Sequence, residues 1–248
     1  GSHGRATALG QETLLEGRGI TQANIGVPVR SSMDTVCLGK CPAGFDVYVD
    51  KIASQADHIV LVNRVKSHTK FKGRIESGLM KMLAVGLGNV EGADIIHRAA
   101  LDMGMEQAIL SAARLGLEKL PVLMGLGIVE NALGQAYMLG ATEPQQLEDR
   151  EAELLEESKR TMPRLPTNDL DLLIVDRMGK DISGVGMDPN VTGRNRDLLG
   201  EFETNMRVGR IYVRDLSPGS MGNALGVGLA DFVSTRLANA IDWDKTRA

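Results

Sequence analysis

The chain has 248 residues, a formal net charge of -4, and 43% hydrophobic against 24% charged residues. Those proportions suit a soluble globular protein with room for one large or two small domains. They exclude a broad phosphate-binding surface, which needs clustered Lys and Arg, and no apolar run reaches the ~20 residues that span a bilayer. Neither nucleic acid nor membrane is therefore an expected partner, and a cytoplasmic location is expected.

The two cysteines, Cys37 and Cys41, read C-L-G-K-C. A lone pair supplies only half of a four-ligand zinc site and no disulfide framework, so ordinary thiols are expected. Phe45–Ile52 is extended or helical. Ala56–Asn63 holds an apolar Ile/Val run of strand length, polar at both ends, as in a buried parallel strand. The basic stretch Arg64–Arg74 follows as a loop at the carboxyl end of that strand, where open α/β sheets bind ligands. Glu76–Gly88 reads as a short helix closed by glycines, and Ala93–Leu117 as a further helical stretch. Leu120–Glu130 reads as a strand or strand pair. Thr142-Glu-Pro-Gln145 has the form of a capping box opening a charged helix to about Arg160.

A proline-marked break, Met162–Pro166, separates this region from a second buried-strand candidate, Leu170–Asp176. The glycine-rich loop Gly179–Gly193, a strand at Arg210–Arg214 and a final helix at Ala230–Ile241 follow. Strands alternating with helical stretches predict an α/β fold: two lobes with largely parallel sheets flanked by helices, and a cofactor site in or near the cleft. The expected domains are a cofactor-binding, catalytic lobe over 1–165 and a second α/β lobe over 166–248.

Only four histidines are present, His3, His58, His68 and His97, so each is a candidate for proton transfer or metal binding. His58, inside the apolar run, reads as a core residue. His68 lies in the polar loop where a side chain can meet a ligand, and His97 near a helix start. Gly-Ser-His3 taken alone also matches the remnant of an affinity tag. Lys81 stands in the apolar stretch Gly78-Leu-Met-Lys-Met-Leu. It either snorkels from a helix or is partly desolvated, which lowers its pKa and makes it a nucleophile. Gly86, Gly88 and Gly92 form G-x-G-x-x-x-G, but a helix-like segment and not a strand precedes them, which favours a helix end over a dinucleotide turn. The backbone amides of Gly179–Gly193, with Lys180 supplying charge, suit a carboxylate or phosphate as well as they suit a plain loop.

The block from Val62 through Lys66-Ser-His68, Lys81-Met-Leu-Ala-Val-Gly-Leu-Gly88 to His97 resembles the signature of the nickel-pincer-nucleotide lactate racemase family. Gly1-Ser-His3-Gly resembles the family's Gly-Ser/Thr-His segment. Gly179–Gly193 and Gly222–Asp231 resemble its second half. The resemblance implies racemisation or epimerisation of a small 2-hydroxy acid. It implies a pyridinium mononucleotide holding nickel through sulfur, carbon and sulfur, joined covalently to Lys81, with His97, sixteen residues later, as the remaining nickel ligand. His3 and His68 match the two acid/base histidines, which face each other across a planar 2-keto acid formed when C2 gives up hydride and later recovers it. Soft sulfur donors and an imidazole suit square-planar nickel, and the nucleotide carries the difficult step. Cofactor-synthesis enzymes are implied partners.

Two departures from the family pattern are visible. Gly73-Arg-Ile-Glu-Ser-Gly-Leu-Met stands where the best-known racemases carry a Gly-Tyr-Ser-Gly-Gly-type stretch, which places the chain in a divergent branch. The region upstream of the first histidine segment in relatives is expected to be missing, and relatives are expected to extend past Ala248. Two other readings compete with the racemase: an NAD-dependent 2-hydroxy acid dehydrogenase built on Gly86–Gly92, and a non-catalytic cofactor-binding relative.

Overall fold

The structure is a computed structural model, and it describes residues 7–195 and 205–247. Two compact units result: residues 1–67 with 72–162, and residues 68–71 with 163–248. No helix among the described residues is long and apolar enough to cross a membrane.

The first unit opens with two short helices, α1 (Ala8–Glu16) and α2 (Gln22–Ile25), capped by the hydroxyls of Thr7 and Thr21. Strands β1 (Thr35–Lys40) and β2 (Asp46–Asp50) form an antiparallel hairpin, and α3 (Lys51–Ser54) starts on the Asp50 carboxylate. Strand β3 (Ile59–Arg64) pairs in parallel with β4 (Val122–Glu130), which pairs antiparallel with β5 (Ala136–Thr142). Between β3 and β4 run α4 (Leu79–Lys81), a π-turn (Met82–Gly86), α5 (Asn89–Met103) and α6 (Met105–Lys119). The helical stretch expected over Ala93–Leu117 is thus two helices, broken where Gly104 takes φ +83°.

Helix α7 (Leu147–Thr161) follows a 3-10 turn at Pro144–Gln146. Glu148 and Asp149 stand in its first turn and Lys159 and Arg160 in its last, matching the helix dipole. The expected capping box does not form: Thr142 ends β5, and its hydroxyl donates to the Glu143 carbonyl instead. Leu147, Leu154 and Leu155 bury one stripe of α7 against the sheet. Side-chain-free Gly125, Gly127 and Gly140 let it come close. A Cβ on Gly127 would lie 2.5 Å from Leu154 Cδ1, and one on Gly140 2.8 Å from the same atom. The opposite face of this sheet leaves Val60, Val62 and Leu139 exposed.

In the second unit β6 (Asp169–Met178), β7 (Arg207–Leu216) and β8 (Phe232–Val233) make an all-parallel sheet in the order β6-β7-β8. Three short helices accompany it: α8 (Pro189–Thr192), α9 (Thr235–Ala240) and α10 (Trp243–Arg247). The final helix is therefore shorter than Ala230–Ile241, because its first residues enter the sheet as β8. Met178, Met187, Ile211, Val213, Leu216, Ala224 and Leu237 form the core. Strand β6 is less buried than its apolar run suggests, since Leu172 and Ile174 face outward.

Parallel and mixed sheets flanked by helices confirm the α/β class. In the second unit two loops interlock. Gly186 has φ +83° and sits so close to Leu225 that a Cβ would lie 1.7 Å from its carbonyl oxygen. Gly186→Ala combines strain with a backbone clash, and is expected to cost on the order of 3 kcal/mol or more. A denaturant melt of the variant checks this.

Candidate functional site

The segment from the end of β3 to α4 is polar, and two buried carboxylates and one half-buried one hold it. The Lys66 amide donates to the Ser77 carbonyl (2.8 Å), and Asn63 Nδ2 to the Gly78 carbonyl (2.9 Å). The Ile75 amide donates to Glu106 of α6 (3.0 Å). Gly73 makes room for that carboxyl group, which a Cβ there would meet at 2.6 Å. Glu76 is wholly buried, and it gathers the Ser67 hydroxyl (3.0 Å), Lys159 of α7 (3.3 Å) and Lys72 (3.5 Å). A carboxylate removed from water needs such compensation. On the outside Arg74 pairs with Glu148 (2.9 Å) and with Asp149.

The third carboxylate acts on the helix that carries Lys81. Gly78, at the N-cap of α4, has no side chain to satisfy the first amides. Glu151 of α7 reaches across and accepts from the Met80 amide at 2.6 Å. Gly78 is required there, because a Cβ would lie 2.5 Å from the Glu151 carboxyl carbon. Burial pushes the Glu151 carboxyl up to about 7, against the lowering pull of the Met80 and Leu79 amides, and Glu148 nearby adds to the rise.

Lys81 closes α4 and leads into the π-turn, a distortion that frequently accompanies functional sites. It is half-buried. Desolvation pushes its ammonium down to about 8, with the like charge of Lys66 helping. Of the two alternatives open in the sequence, partial desolvation and not free snorkelling describes this amine. A lysine so perturbed is partly neutral near physiological pH and can attack an electrophilic carbon.

His97 also belongs to the first unit. It lies in the middle of α5, not near its start, and its imidazole is exposed. His58 is exposed just before β3, not in the core, because the buried part of the run begins at Ile59. His68 belongs to the second unit. Its Nδ1 accepts from the Lys70 amide (3.1 Å), so the neutral ring carries its proton on Nε2. Its carbonyl accepts from Asn190 Nδ2 (3.3 Å), and its ring lies 4.3 Å from that of Phe71. Lys180, in the second unit, is exposed at the start of the glycine-rich loop. His3 lies outside the described residues.

The glycines resolve as packing. A Cβ on Gly88 would lie 2.8 Å from the Ala84 carbonyl oxygen, and one on Gly92 3.3 Å from that of Tyr48. Close approach of protein backbone accounts for this G-x-G-x-x-x-G, and no strand leads into it. In the loop after β6, Gly179 and Gly219 leave space for the Asp181 carboxylate, which receives the Ser217 hydroxyl. Glu151, Glu76 and Glu106 were not singled out from sequence. Glu151 had a signal: it occupies the buried stripe Leu147, Leu154, Leu155 of an otherwise charged helix, where a carboxylate is out of place.

No protein-family model matches the chain, and no curated protein matches it. Among solved structures, the chain is similar to the lactate racemase apoprotein from Thermoanaerobacterium thermosaccharolyticum, at 12% identity and a TM-score of 0.50. The likeness covers 82% of this chain and 49% of that one, so the chain spans about half the length of this structural relative. At such identity the two share a fold.

Proposed function

We propose that the protein is a cytoplasmic lactate racemase-like isomerase that inverts the C2 centre of a small 2-hydroxy acid with a nickel-pincer nucleotide. The observation that carries this reading is Lys81: a half-buried amine lowered to about 8, on a fold shared with a lactate racemase. The residues present suit the nucleotide in kind. Lys81 is a nucleophile able to form the covalent link, and His97 offers an exposed imidazole on α5, which packs against the π-turn following Lys81. A cofactor bringing its own sulfur and carbon donors needs one such nitrogen from the protein.

When bound, the nucleotide supplies a ring carbon that takes and returns hydride. The other tasks fall to side chains. His68 presents an N–H at Nε2 and is suited to donate to the substrate hydroxyl oxygen or receive its proton after tautomer exchange. His3 is the second acid/base of the proposal. Lys180, exposed at a glycine-rich loop, contributes a positive charge for a carboxylate or phosphate. The cofactor-synthesis enzymes are the partners this chemistry requires.

The test is intact mass and metal analysis after co-expression with the cofactor-synthesis enzymes. The expected result is a covalent adduct with stoichiometric nickel in the wild type. Lys81→Arg should lose the adduct, because a guanidinium cannot replace the amine as nucleophile. His97→Ala should keep the adduct and lose nickel. An unmodified, metal-free wild type, from cells that load a known racemase, overturns the proposal.

A further inference from the structure

Lys81 ends the first turn of a helical segment, Leu79–Lys81, that runs straight on into the π-turn Met82–Gly86. The amides of a first helical turn have no acceptor within the helix. They need one from outside it. Its N-cap residue, Gly78, contributes no side-chain bond, and its φ of -178° is plain extended backbone. The missing acceptor comes from a different helix, where Glu151 is 0% exposed and receives the Met80 amide at 2.6 Å. Oε1 of the same carboxyl group has no hydrogen-bond partner among the described residues.

The chain incurs two costs for this contact. A carboxyl group is buried on the apolar stripe of α7, and position 78 is confined to glycine because a Cβ would collide with that group. Packing alone would be served better by a leucine on α7. We propose that Glu151 is the positioning residue of this site: its carboxyl group fixes the first helical turn, from which the Lys81 amine is presented. The proposal rests on reading Lys81 as the reacting amine. Glu151 acts through the backbone: its contact is with the Met80 amide, one residue before Lys81, and the causes that lower the Lys81 ammonium are burial and then Lys66.

This distinction gives the test. Lysine reactivity is read, in the cofactor-free protein, as the pH profile of labelling by an amine-directed acylating reagent, with Lys81 followed by peptide mass. The wild-type midpoint is expected near 8. Glu151→Gln keeps an oxygen acceptor for the Met80 amide and should keep that midpoint. Glu151→Ala removes it, lets the turn and its amine reach water, and should slow Lys81 labelling about tenfold at pH 7, the effect of raising a pKa by about one. Gly78→Ala, which displaces the carboxyl group without removing it, should do the same.

An unchanged midpoint in folded Glu151→Ala and Gly78→Ala overturns the positioning role and leaves the reading of Lys81 intact. An ordinary lysine midpoint in the wild type overturns that reading itself. If neither variant folds, the wild type decides by NMR. A Met80 amide resonance that follows the titration of the Glu151 carboxyl carbon supports the contact, and one indifferent to it overturns it.

Discussion

Unfolding free energy of the cofactor-free protein is expected to fall between about pH 4.5 and pH 7, and Glu151→Gln is expected to flatten that slope. Glu151 has a folded-state pKa of about 7 against 4.5 in the unfolded chain. Below both values the carboxyl group is protonated in either state and contributes no pH dependence. Between them the folded protein holds a proton that the unfolded chain has released, so each step upward in pH favours unfolding. Above 7 both states are ionised and the full cost is present, on the order of 3 kcal/mol for a shift of this size. Glutamine has no charge to desolvate, but its amide nitrogen enters a place where Oε1 found no partner, at a cost of ~1–3 kcal/mol. The net gain at pH 8 is therefore expected to be about 1 kcal/mol, while the change in slope carries the larger signal. Denaturant melts at pH 5, 6, 7 and 8 measure both. A wild-type slope that survives in Glu151→Gln would locate the titration elsewhere.

Much of this arrangement is legible in the sequence, for physical reasons that also explain what is not. The Ile-Val-Leu-Val run of β3 is recognisable as a strand by its length and its β-branched residues. Only Ile59 and Leu61 are buried, however; Val60 and Val62 lie on the exposed face, so the expected burial of the whole run holds for one face. The Lys81 environment is only half legible, since a lone charge among Leu, Met and Leu is open to snorkelling as well as to partial desolvation, and the packing around it decides. The break at Gly104 is harder to see. Glycine inside a helical pattern is tolerated as often as it ends one, and only the φ of +83° decides. Strand β5 escapes because Ala136–Thr142 alternates in burial but not in chemistry: the exposed Tyr137 and Leu139 are as apolar as the half-buried Met138 between them. Leu120–Glu130 is open to being one strand or a strand pair, because nothing local shows that Gly125 and Gly127 are flat ground on which Leu147 and Leu154 lie. Only the tertiary partner reveals that role, and the same holds for Glu151, whose acceptor duty depends on a helix 71 residues away in the chain.

Replacing Lys81 by methionine is expected to stabilise the cofactor-free protein at pH 7 while ending any covalent chemistry there. In the folded protein the amine has a pKa of about 8, against 10.5 for an ordinary lysine. Below 8 it is charged in both states, and the folded state bears the whole cost of a partly desolvated ammonium, on the order of 3 kcal/mol. Between 8 and 10.5 the unfolded chain binds the proton that the folded protein has shed, so stability rises with pH and the cost is relieved. Methionine keeps the length and flexibility of the stem without the charge, and a gain of about 1–3 kcal/mol at pH 7 should shrink as the pH approaches 10. A loss of stability instead would mean that Lys81 is there for structure. Together with the fall produced by Glu151, this rise predicts a minimum of stability between about pH 7 and 8. The two groups meet through adjacent residues, Glu151 on the Met80 amide and Lys81 next in the chain. Both melts with the expected signs would show stability given up at one turn of helix where a leucine and a methionine would fold better, the pattern of residues kept for reactivity and not for the fold.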